Sequence, residues 1–393
     1  MRKAVNTIIP IFIVLIWLMP VSNTFNTLND SMMRNCYLAS LAMLVLVWFY
    51  ECKFYAIQIG ISAILMFLLI ASTFVNMNIN AGISKVSYGY LMNYLPFCIL
   101  LNIKCTKLSR SKIIDKLFIM VCIVLIVVGI LTIISNPTIE NILKTYYTIH
   151  YPHLYNVMWA SHKTVTFFGT HSIAVYIYFI LWWLVDYRRQ VKPGMLNYVL
   201  MLGILMDIAM CLSVSAVLCL GIIFSYYFVG WLKSASKSAI IRSFILLIVF
   251  MVGVILNIET IITILSSSQN GFLGRFGSTG NLNSTLSFAI KNVFPIGICD
   301  IEGLWLTDGG YFINFIRGGV IFVVLFYVGL YRFINKNIQV KSRAVLLFFA
   351  LILFEVGYQF TTCMRFFMTM LFAIIYFSYL FEQSQRNVCI QQN

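Results

Sequence analysis

Apolar residues run along this chain in blocks of roughly twenty, separated by short polar breaks. Blocks of that length predict helices that cross a hydrocarbon layer about 30 Å thick. They fall near residues 5–22, 37–50, 54–73, 86–103, 114–134, 166–185, 196–211, 214–232, 240–257, 310–331, 344–360 and 363–381. The region 196–232 is the least divided. One helix through all of it would be about 55 Å long, so it is read as two, broken near Ser213–Ser215. The ten-residue alternation of a membrane β-barrel is missing from the sequence. The expectation is an all-α polytopic membrane protein, one integral membrane domain over residues 1–393, with about twelve transmembrane helices. The opening MRKAVNTIIPIFIVLIWLMP reads as an uncleaved first helix, because it lacks a small-residue cleavage site.

Two longer polar stretches interrupt this pattern, about 135–165 and 258–309. The first mixes Leu, Tyr, Trp and Met and is expected to hold an amphipathic interfacial helix. The second is rich in Gly, Ser and Asn. It carries Arg275, Lys291, Asp300, Glu302 and Asp308, with Arg317 just beyond.

Composition supports the membrane reading: 61% of residues are hydrophobic and 10% charged, against about 25% charged in a soluble domain. The formal charge of +15 is then explained by topology, not by a nucleic-acid partner. With the N-terminus inside, the cytoplasmic segments collect 19 of the 27 Lys and Arg residues. The eight left over are Arg34, Lys85, Lys144, Lys163, Arg275, Lys291, Arg317 and Arg365. Both termini are expected in the cytoplasm and both polar stretches on the outer side. The ten cysteines include no CxxC pair and read as small core residues.

Candidate chemistry gathers on the outer side. The four histidines are His150, His153, His162 and His171. His150 and His153 have metal-ligand spacing, but no carboxylate or thiolate nearby completes a site, so no metal is expected. His171, at the membrane edge after Gly169, is placed on a working cavity, with His162 as a further candidate. Charges inside spans are costly and face a cavity or a partner. Counting along the spans puts Asp207, Arg317, Glu355 and Arg365 at mid-depth or in the outer half. Two readings stand: structural ion pairs, such as Glu355 with Arg317 or Arg365, or a polar cavity open outward. Arginines suit phosphate oxygens. Arg275, Arg317 and Arg365, helped by Lys291 or Lys163, would hold a diphosphate, and Asp300, Glu302 or Asp308 would offer a general base. That is the minimum equipment for glycosyl transfer from a lipid diphosphate, and by itself it does not exclude a transporter.

Three segments resemble the Wzy-type polysaccharide polymerases and the related O-antigen ligases. They are FFGTHSIAVYIYF at 167–179, GRFGSTGNLNSTLSFAIKNVFPIGICD at 274–300 and LTDGGYFINFIRGGVIF at 306–322. The chain departs from that pattern at Ser213–Val217, which lacks an arginine, after His171, which lacks Pro-Asn, and at Gly309, where Asn is common. The resemblance implies a GT-C-like fold in the bacterial cytoplasmic membrane. It also implies metal-independent, cofactor-free transfer of a growing glycan from undecaprenyl diphosphate to a repeat unit on the same lipid. A Wzz-like chain-length regulator is a possible partner in such systems. Carried over, Arg275 binds diphosphate or glycan, Asp308 is the base or orients the acceptor, and His171 lines the cavity. The alternatives left open are a lipid-linked oligosaccharide flippase or another transporter, and an O-antigen ligase.

Overall fold

The computed structural model describes residues 2–21, 31–51, 55–79, 84–147, 159, 161–233, 236–256, 258–259, 262, 281–291, 294–301, 306 and 309–392. Its helices are α1 (Arg2–Leu18), α2 (Ser31–Glu51), α3 (Ala56–Ile79), α4 (Tyr88–Leu101), α5 (Ile113–Ile133), α6 (Pro137–Ile142), α7 (His171–Val191), α8 (Met195–Met210), α9 (Val214–Lys233), α10 (Lys237–Leu256), α11 (Asn281–Lys291), α12 (Gly310–Asn337), α13 (Lys341–Glu355) and α14 (Met364–Gln392). Each of the twelve apolar blocks contains a helix. Among the described residues six helices, α2, α3, α5, α9, α12 and most of α14, are long and apolar enough to cross a membrane. The chain is an all-α membrane protein, with one small β element among the described residues.

The undivided block breaks at 211–213. Leu212 takes φ 43°, and Ser213 Oγ accepts from the backbone N–H of Ala216 at 3.2 Å, capping α9. In the first polar stretch Asn136 caps α6, with Pro137 at its first position. One further turn, Leu143–Tyr147, follows. The rest of the interfacial helix expected there, 148–158, lies outside the described residues.

The centre is built by α7 and α14. From Ile173 to Arg188, and from Phe360 to Leu380, every residue is buried or nearly so, as befits helices apolar on all sides. Their rings interlock: Trp183 and Tyr187 stack on Phe377 at 5.1 and 4.5 Å. The outer helices instead present Phe49, Phe67, Phe74 and Leu202, each about two-thirds exposed, the apolar surface a lipid phase would cover.

Contacts sort the connections into two ends. At the basic end, Tyr50 meets Asn6, Glu51 meets the turn at 106–108, Asn337 bonds Ile103 and Cys105, and Ser109 bonds Glu382. The Glu51 carboxylate accepts three successive backbone N–H groups, from Thr106, Lys107 and Leu108. Such a nest leaves two donors or more unpaired if the acid is lost. Glu51→Ala is expected to lower stability by about 2 kcal/mol, measured by thermal unfolding in detergent. At the far end lie the start of α12, the end of α13 and the starts of α7 and α14.

Candidate functional site

The far end is organised by a break in α12. Gly319 adopts φ 77°, a conformation only glycine takes freely, and interrupts the helix there. The sequence suggests a close-packing role for Gly318 and Gly319. At Gly319 the structure instead shows a conformational one, since its open side has nothing nearer than Pro295 at 3.8 Å. The break releases two helix carbonyls. Ile316 and Arg317 accept from the N–H groups of Ile296 and Gly297, at 2.8 and 2.9 Å. Arg317 then returns the contact: its Nη1 donates to the carbonyls of Gly297 and Cys299 at 2.9 and 3.3 Å. The face of Tyr90 covers the guanidinium at 3.2 Å.

This strap fixes the end of the second polar stretch. Cys299–Ile301 forms an antiparallel pair with Ser84–Val86, placing exposed Asp300 opposite exposed Lys85. Ile298 N–H donates to Thr73 Oγ1 at 3.0 Å. Gly297, at φ 63°, lies so close to Thr73 and the Leu69 carbonyl that a Cβ would overlap both. Gly297→Ala is therefore expected to cost roughly 2 kcal/mol or more, seen as a lower thermal midpoint.

Next to the strap is a buried polar cluster. Tyr94 OH donates to Asn314 Oδ1 at 2.8 Å, and Gln359 Nε2 donates to both. Glu355, fully buried, accepts from the hydroxyl and the backbone N–H of Thr361 at 2.7 and 3.3 Å. Gly310, at the start of α12, packs directly on that carboxylate, where any Cβ would collide with it. No ion pair joins Glu355 to Arg317 or Arg365 among the described residues.

Arg365 stands apart from this. It is the second residue of α14 and 2% exposed. Among the described residues its Nε and Nη1 have no hydrogen-bond partner. The Phe168 ring lies with its centroid 5.7 Å from the guanidinium carbon. Tyr147 is also close: burial pushes its phenol pKa up, and the Arg365 charge opposes that. Around this segment, Thr362 Oγ1, Thr170 Oγ1 and Tyr176 OH are likewise buried without partners. A buried guanidinium with spare donors at the first turn of a long helix favours an anion twice over, through its charge and through the helix dipole.

The remaining candidates are spread around this end. His171 opens α7 and is partly buried. His162 is exposed, its Nδ1 2.9 Å from Ser135 Oγ. Lys163 is half-buried, and burial holds its ammonium below the usual lysine pKa. Lys291 ends α11 and is exposed. Arg275, Glu302, Asp308, His150 and His153 lie outside the described residues. Arg317 and Arg365 therefore have different surroundings: the first is engaged by carbonyls of its own chain, while the second keeps donors free.

Comparison with family models, characterised proteins and solved structures finds no match.

The structure also shows a network that the loop-charge count passes over. At the basic end Asp115 accepts from Arg188 Nε at 3.1 Å, Lys192 Nζ at 3.0 Å and Tyr376 OH at 2.7 Å. Asp186 accepts from Arg189 at 2.9 Å and Tyr227 OH at 2.6 Å, and pairs with Arg343. The available signal was two lone carboxylates set among clustered basic residues.

Proposed function

We propose that this chain is a metal-independent glycosyltransferase of the polysaccharide-polymerase type. It takes a growing glycan on undecaprenyl diphosphate as donor and a single lipid-linked repeat unit as acceptor. The observation that carries this reading is Arg365, a buried guanidinium with two nitrogens unpartnered at the end opposite the basic loops. A lipid diphosphate lying in the membrane surface brings oxygens to that depth. Arg365, with Arg275, grips the diphosphate and stabilises the charge that develops as the glycosidic bond to phosphate breaks. A carboxylate, Asp308 or Glu355, takes the proton of the attacking sugar hydroxyl. His171 lines the acceptor side. Arg317 holds the 296–301 segment, and through it the loop, in place.

In this reading all twelve apolar helices span the bacterial cytoplasmic membrane, both termini are cytoplasmic, and the far end faces outward. A C-terminal green fluorescent protein fusion is expected to fluoresce in cells, and an alkaline phosphatase fusion at the same point to be inactive. The reverse pair of results would place the far end in the cytoplasm and remove the reading.

The deciding assay is purified protein in detergent with its lipid-linked repeat unit and EDTA, read on a gel. A ladder of lengthening glycans is expected, and Arg275→Ala and Asp308→Ala are expected to abolish it with the protein still folded. If no ladder forms but the same lipid crosses liposome membranes, the protein is a flippase. If a single glycan passes to a different acceptor, it is a ligase.

A further inference from the structure

A second buried charge lies away from Arg365. Asp207 sits one turn from the far end of α8 and is fully buried. Neither of its carboxylate oxygens has a hydrogen-bond partner, and no ion pair reaches it among the described residues. The hydroxyls around it are turned elsewhere. Thr164 Oγ1 donates to the backbone carbonyl of Asp207, not to its side chain, and Thr132 Oγ1 donates to the Val128 carbonyl. The side chain is pressed against Gly129 of α5, where a Cβ would overlap Oδ1.

The elements packed on α8 are α5, α7 and α9. The titratable groups they bring to this level are Tyr178 on α7 and Cys219 on α9, with Cys211 just past α8 itself. The far half of α5 brings none. Tyr178 OH is bound to Thr166 and to the Thr164 carbonyl. Lys163, beside Thr164, is not bonded to Asp207 among the described residues. An ionised carboxylate with neither donors nor a cation carries a desolvation penalty of several kcal/mol, whereas a carboxylic acid does not. Ionisable groups inside membrane helices are rarely passive.

We propose that Asp207 is a proton-binding site within the membrane domain, held as the neutral acid where α8 crosses Gly129 of α5. Its proton exchanges with the aqueous phase at the far end. Loss of the proton leaves a carboxylate that cannot stay against Gly129 without a donor, and segment 161–168, which already meets α8 through Thr164, carries donors in Thr164 and Lys163. Protonation is thereby tied to the position of segment 161–168, which leads into His171. This inference is independent of the proposed glycosyl transfer.

Infrared spectroscopy of the full chain in lipid nanodiscs tests it. The difference between wild type and Asp207→Asn at neutral pH is expected to show loss of a carboxylic-acid carbonyl band that shifts in heavy water and disappears as the pH is raised. A difference containing only carboxylate bands would overturn the proposal. So would displacement of the acid band by sodium or lithium at fixed pH, since the site would then be a cation site. If Asp207→Asn does not fold, wild type carrying carboxyl-13C aspartate gives the same reading. An isotope-shifted acid band at neutral pH supports the proposal, and its absence refutes it.

Discussion

Replacing Arg365 with methionine is expected to abolish glycan elongation and, at the same time, to raise the stability of the protein. The two effects share one cause. Arg365 is buried, its Nε and Nη1 donate to nothing, and no carboxylate pairs with it among the described residues. A buried donor left unpaired costs about 1–3 kcal/mol, and more when charged. Methionine fills a similar volume without that cost, and its sulfur suits the neighbouring Phe168 ring. The thermal midpoint should therefore rise in the ligand-free protein. Activity should fall by roughly 100-fold or more, as when one preorganised donor to a developing negative charge is removed. Arg365→Lys keeps the charge but not the planar guanidinium, and should retain a small part of the activity. Thermal unfolding and the gel ladder check the two halves separately. A variant that loses both stability and activity would show that Arg365 is a structural strut and would leave the site without its anion holder.

How much of this could be read from the sequence depends on the distance between partners. The helices were legible, because an apolar block is a local property: each predicted block contains a helix, and even the weak break near Ser213 appears, at 211–213. Depth along a span is also local: counting places Asp207, Arg317, Glu355 and Arg365 at mid-depth or in the outer half, and in the structure Arg317 lies in the first third of α12, Glu355 is the last residue of α13 and Arg365 is the second of α14. What a charge touches is not local. Sequence counting put Arg317 and Arg365 on one anion. Only the break at Gly319 reveals that Arg317 is consumed by the Gly297 and Cys299 carbonyls, across some twenty residues of chain. In the same way Glu355 looked like a partner for either arginine, yet its carboxylate is bonded by Thr361, six residues on. The basic-end network joins residues far apart in the chain, Asp186 with Arg343 and Asp115 with Tyr376. In a loop-charge count, each of these arginines is only one more positive charge.

That network gives the opposite result for the same residue type. Asp186→Asn is expected to destabilise the protein by about 3–5 kcal/mol. Asp186 is fully buried and pairs with Arg343, itself 3% exposed, while accepting from Tyr227 OH and from Arg189. The amide keeps one acceptor but turns its NH2 group toward one of the two guanidiniums, Arg343 on Oδ2 or Arg189 on Oδ1. Arg343 is then left with its charge uncompensated between the rings of Tyr187 and Tyr226. The Arg189 contact adds little, because that side chain is partly exposed. Removing both halves, in Asp186→Leu with Arg343→Met, deletes the charge and its countercharge together. It should recover most of the loss or exceed wild type. Unfolding of wild type and the two variants in the same detergent compares these costs directly. If Asp186→Asn costs no more than an exposed pair, about 1 kcal/mol, then water reaches Arg343. A buried arginine at the basic end would then give no contrast to Arg365. If the cost is large and the double variant restores it, burial without a partner among the described residues is what sets Arg365 apart, as the proposed anion site requires.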